Sequence, residues 1–99
     1  MAEKVIYKDD ISVELKKPKM YKVILLNDDY TTMDFVVEVL MIVFHKSATD
    51  ATQIMLDVHH KGKGIVGTYT YDIASTKIAQ VEQMASERGF PLAAVMEPE

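Results

Sequence analysis

Cysteine is absent from all 99 residues, which excludes a disulfide framework and thiolate chemistry and suits a reducing compartment. An excess of positive charge is also missing. Eleven Lys and Arg stand against fifteen Asp and Glu, for a net charge of −4 and a pI near 5.3. The basic residues are scattered, with pairs at Lys16-Lys17 and Lys61/Lys63. Nucleic-acid and anionic-membrane surfaces need clustered cations, so no nucleic acid and no membrane is expected as a partner. There is no long hydrophobic run. The longest apolar stretch, residues 35–44, contains Glu38 and falls well short of the roughly 20 residues that cross a bilayer. The first residues, Met-Ala-Glu-Lys, show no basic segment leading into an apolar one, so no secretory signal is expected and the protein is placed in the cytoplasm.

What is present is ordinary for a folded chain. Apolar content of 48% and charged content of 26% sit near globular averages, and the length allows one domain with one modest core. Residues 1–18 are charge-rich and end in Lys-Lys-Pro. Ile11, Val13 and Leu15 alternate with polar neighbours and admit a short edge strand, but an end without a long apolar face is expected to be a flexible arm. Pro18 marks the boundary, and residues 19–99 form the core domain.

Within that domain the sequence reads as alternating strands and helices. Residues 22–26 (Lys-Val-Ile-Leu-Leu) form a buried strand closed by the turn-former Asn27-Asp28-Asp29. Thr31-x-x-Asp34 has the form of a capping box and opens a nearly all-apolar helix over 32–45. Ser47-x-x-Asp50 opens a second helix over 49–61, with Ala51, Ile54, Met55 and Val58 on its inward stripe. A β-branched and aromatic strand follows over 64–71, then a helix over 72–88 capped by Gly89, then a strand over 92–96. The expected fold is α+β: a three-stranded antiparallel sheet with three helices on one face, in the order β-α-α-β-α-β, a small α/β sandwich.

The densest chemical signal is residues 27–36, Asn-Asp-Asp-Tyr-Thr-Thr-Met-Asp-Phe-Val, where a polar cluster runs into the greasy helix. Asn and Asp are what any strand-to-helix turn uses. The same residues beside an apolar wall would also suit a small amphiphile, cationic at one end. His59 has two readings as well. It is either a partly exposed structural histidine or the polar end of a wall that includes Met55 and Val58, which share its helix face. A metal is not expected: His59 and His60 are adjacent, so on a helix they point about 100° apart, and there is no His-x-x-x-His. Gly62-Lys-Gly-Ile-Val-Gly67 matches the dinucleotide glycine pattern but follows a helix and opens a strand, the reverse of what that site needs, so no cofactor is expected. Asp28 and His59 could be imagined as a small acid–base hydrolase. No nucleophile has a recognisable setting, and no catalytic residue is assigned. A third alternative is a domain presenting its apolar first helix to a fixed protein partner.

At 21–36 (Tyr-Lys-Val-Ile-Leu-Leu-Asn-Asp-Asp-Tyr-Thr-Thr-Met-Asp-Phe-Val), at 51–59 (Ala-Thr-Gln-Ile-Met-Leu-Asp-Val-His), at Gly62-Lys63 and at Thr76-Lys77, the chain resembles the bacterial Clp protease adaptor family, ClpS. The resemblance extends over about residues 20–96. It implies an N-end-rule adaptor, not an enzyme, that binds proteins beginning with Leu, Phe, Tyr or Trp (N-degrons) and hands them to a Clp-family AAA+ unfoldase of the ClpA type. Asn27, Asp28 and His59 resemble the group that holds the substrate α-amino group, Asp28 partly through water. Asp29 and Thr31 resemble the rim; Met33, Val36, Met55, Val58 and Leu92 resemble the hydrophobic pocket, with Met33 as its gate. Tyr30, Asp72 and Lys77 resemble the face that docks the unfoldase, and the first 18 residues the extension used in delivery. Thr32 stands where proline is common, Asp72 where glutamate is, and His60 where an aromatic is.

Overall fold

Lys22-Val-Ile-Leu-Leu26 lies in the middle strand of the core sheet, and its inward residues set where the core lies. The computed structural model describes residues 17–99 in full and the backbone of the strands at 4–8 and 11–15; residues 1–3, 9, 10 and 16 lie outside the described residues. The chain runs β1 (Lys4–Lys8), β2 (Ile11–Leu15), β3 (Met20–Leu26), α1 (Met33–Ile42), α2 (Ala48–Lys61), β4 (Lys63–Thr70), α3 (Tyr71–Arg88) and β5 (Ala93–Pro98). β3 lies between β4 and β5 and is antiparallel to both. The α+β fold is therefore as expected, with three helices over a three-stranded antiparallel sheet.

Alternation separates the two faces of this sheet. Val23 and Leu25 of β3, Val66 of β4 and Ala94 of β5 point into the buried core with Phe35, Val39 and Leu40 of α1, Ala51 and Val58 of α2, and Ala74, Val81 and Ala85 of α3. Ile24 is paired with Ile65 and Val95 on the opposite face, where Ile65 is 56% and Val95 38% exposed. A register shift between Val23 and Ile24 leaves Val66 without a Cα partner. Val66 and Gly67 thus oppose Val23 together, as in a β-bulge, while Ile65 stays on the outer face with Ile24.

The extension has structure that the sequence reading did not assign. β1 and β2 pair antiparallel as a separate two-stranded sheet. β2 coincides with the alternation at Ile11, Val13 and Leu15, but its partner is β1 and not the core sheet. Such a hairpin on its own is marginal in water.

Each helix ends where backbone chemistry stops it. Ser47 caps α2, its hydroxyl accepting from the Asp50 amide at 3.1 Å. Gly62, at φ 86°, closes α2 in the left-handed region that glycine enters without penalty. α1 ends less comfortably. The chain reverses through His45, at φ 55°, the one non-glycine residue in that region among the described residues. The Lys77 ammonium of α3 donates to the Val43 carbonyl at 2.8 Å, satisfying an orphan acceptor of α1 while lying 5.7 Å from the centre of the Phe44 ring. A β-branched residue at His45 should suffer most from the backbone there. His45→Val is expected to lower stability by about 1–2 kcal/mol and His45→Gly to hold or raise it, in urea unfolding. Equal midpoints for the two variants would remove backbone strain from the explanation.

Candidate functional site

The site begins where β3 hands over to α1. The Asn27 amide donates to the Gly62 carbonyl at 2.9 Å, tying the loop after β3 to the end of α2. Behind α2 a second close approach fixes its depth. A Cβ on Gly64 would lie 2.8 Å from Val58 Cγ2 and 3.0 Å from the Ile54 carbonyl oxygen, so the helix rests on bare backbone. The loop and the helix that carry the candidate polar residues are thereby held in one frame.

Asp28 organises the loop itself. One carboxylate oxygen, Oδ1, accepts from the Tyr30 amide at 2.8 Å and the Thr31 amide at 2.7 Å. The other, Oδ2, accepts from the Thr31 hydroxyl at 2.6 Å. Burial raises the Asp28 carboxyl's pKa, but the Thr31 hydroxyl and the Thr31 and Tyr30 amides outweigh it, and the value falls below the ordinary 3.8. This arrangement corrects the capping box placed at Thr31. With its hydroxyl donated to Asp28, Thr31 is not the cap; Thr32 is, its oxygen accepting from the Phe35 amide at 3.2 Å. α1 accordingly starts at Met33.

Between loop and helices lies a hollow of about 340 Å³. Its polar side is made by Asn27, Asp28, Asp29, Thr31, Thr32 and His59, its apolar side by Met33, Val36, Met55 and Val58. Val36 and Val58 are buried and form the floor; Met33 is 45% exposed and stands at the mouth. Among the described residues the side chains of Asn27, Asp29 and His59 make no hydrogen bond, so their acceptors face solvent. The His59 ring lies edge-on to that of His60, with centroids 5.0 Å apart. A cation with an oily neighbour finds acceptors and a dry wall here within one hollow. No hydrogen bond joins Asp28 to His59: the Asp28 carboxylate is engaged within its own loop.

The expected residues separate into four places. Nine of the ten lining positions were named from sequence, and the tenth, Thr32, was missed; its signal was its place one residue after Thr31 in a run of two threonines. Leu92 is not among the lining residues and sits in the core at 4% exposure. Asp72 and Lys77 line a different cavity on α3, with His45, Ile73, Thr76 and Gln80, while Tyr30 is 77% exposed on the loop before α1 and lines neither.

Comparison with known proteins adds independent findings. The family model for ATP-dependent Clp protease adaptor protein ClpS matches residues 16–95. The chain is 76% identical over 99 residues to the ATP-dependent Clp protease adapter protein ClpS of Acetivibrio thermocellus, covering 100% of both chains. It is 62% identical over 84 residues to that of Syntrophus aciditrophicus, covering 85% of this chain and 78% of the relative. A solved structure of Agrobacterium tumefaciens ClpS2 bound to L-phenylalaninamide superposes with a TM-score of 0.81 at 43% identity, covering 84% of this chain and 100% of that one.

Proposed function

The chain belongs to the ClpS family of ATP-dependent Clp protease adaptor proteins, and we propose that within it this protein captures chains by a bulky hydrophobic amino-terminal residue, Leu, Phe, Tyr or Trp. The observation that carries this reading is the pairing of unengaged Asn27 and His59 side chains with the Met33, Val36, Met55 and Val58 wall in one hollow. An α-ammonium, mostly charged at neutral pH, takes the Asn27 carbonyl oxygen and a neutral His59 nitrogen. The first side chain enters the apolar end, where burying Leu or Phe is worth roughly 1.5–3 kcal/mol. That a ClpS2 structure at 43% identity was solved with L-phenylalaninamide supports the same ligand chemistry here.

Delivery extends the proposal. Captured chains pass to a Clp AAA+ unfoldase, of the ClpA type, docked on the face that carries Asp72 and Lys77, with Tyr30 contributing from the loop. Residues 1–18 serve as the extension used in the hand-over, in the cytoplasm, and the adaptor itself breaks no bond. Lys77 has a structural duty beside any docking one, since its ammonium already holds the end of α1.

The test is a fluorescent peptide beginning with Phe, titrated beside its acetylated and Ala-first versions. Binding is expected for the free Phe terminus alone, in the micromolar range, because one residue and a terminus make a small contact. Equal binding of the acetylated peptide would sink the amino-terminal reading, and turnover of the peptide would show an enzyme.

A further inference from the structure

The polar groups of the hollow divide into those the protein already uses and those it leaves free. The Thr31 hydroxyl donates to Asp28, and the Tyr30 and Thr31 amides do the same. The Thr32 oxygen accepts from the Phe35 amide, which fixes its position at the head of α1. A hydroxyl also has a proton to give, and among the described residues nothing receives it. Thr32 is exposed and lines the hollow between Thr31 and the Met33 mouth.

An amino-terminal residue brings more than an ammonium and a side chain. Its carbonyl oxygen lies three bonds from the nitrogen and loses water as the residue enters. The Asn27 oxygen and a His59 nitrogen serve the ammonium; besides the Asn27 NH₂, the Thr32 hydroxyl is a donor that lines the hollow with its position already fixed. We propose that the Thr32 hydroxyl donates to the first carbonyl oxygen of the bound chain, so that Thr32 distinguishes an amino-acyl end from a plain arylalkylamine. The oxygen is held in place by its own cap bond, so donation costs no reorientation of the side chain. The positive end of the α1 dipole lies beneath it and favours the negative end of a carbonyl. This inference rests on the hollow being an amino-terminus site.

The experiment uses the full chain as wild type, Thr32→Val and Thr32→Ser. The probes are L-phenylalaninamide and 2-phenylethylamine, which shares the ring and ammonium but has no carbonyl. Each displaces a fluorescent Phe-first peptide, and thermal unfolding is recorded in parallel. Thr32 sits at φ −73°, ψ 151°, extended backbone that valine adopts freely, so the variant is expected to fold with a small loss from the missing cap. Thr32→Val is expected to weaken L-phenylalaninamide by about 3- to 10-fold and leave 2-phenylethylamine within about 2-fold, so that the ratio of the two affinities falls. Thr32→Ser is expected to restore it. An unchanged ratio overturns the proposal, whether both ligands weaken together, as loss of the cap alone would cause, or neither does; failure of serine to restore it does the same. If wild type binds none of the three ligands, the amino-terminus reading itself has failed and takes this inference with it.

Discussion

Asp28→Ala is expected to weaken binding of a Phe-first peptide by roughly 30- to 150-fold, while Asp28→Asn weakens it by less than about 10-fold. The difference follows from what the carboxylate does. Alanine removes all three hydrogen bonds that shape residues 28–31, about 2–3 kcal/mol of loop order if each is worth near 1 kcal/mol net. Asparagine keeps Oδ1 for the Tyr30 and Thr31 amides, and its NH₂ donates to the Thr31 hydroxyl, which turns to accept. If Asp28 instead met the ammonium directly as a charge, asparagine would cost nearly as much as alanine. Fluorescence anisotropy on both variants decides between turn and charge. The same group carries a pH signature. Its folded pKa lies below the ordinary 3.8, so its contribution is complete above that value and disappears as pH falls through the lower, folded one. Wild type should therefore lose more stability than Asp28→Asn in urea melts below about pH 4, and parallel acid profiles would contradict the assignment.

The residues that sequence placed well are those whose fate is decided locally. Buried Val23-Ile24-Leu25, the Ser47 cap and the Gly62 and Gly89 terminators are read from neighbours within a few positions. The candidate hollow was legible for a similar reason at its core: Met55, Val58 and His59 share one helix face, and Asn27 ends a strand. What sequence could not reach depends on choices between near-equal local options or on distant partners. Thr31 and Thr32 are both competent caps, and only the capture of Thr31 by Asp28 hands the role to Thr32. Leu92 is an apolar residue after a proline, and nothing in its neighbourhood distinguishes core from hollow. Lys77 reaches the Val43 carbonyl 34 positions away, a link no periodicity reveals. The pairing of β1 with β2 arises in a segment with too little apolar pattern to select it over a loose arm.

His59→Ala is expected to cost roughly 10- to 150-fold in affinity at pH 7.5, because a hydrogen bond to a charged group is worth about 1.5–3 kcal/mol. The acceptor must be a neutral imidazole nitrogen. His59→Gln keeps an acceptor, since a carboxamide oxygen has the lone pairs an ammonium needs, so that variant should lose about 10-fold or less. His59→Lys sets a second cation against the ammonium and should lose at least as much as alanine. His60 does not line the hollow, and His60→Ala should bind as wild type does. Equal losses for His59→Gln and His59→Ala, in peptide titrations with thermal unfolding recorded beside them, would move the ammonium contact to some other group.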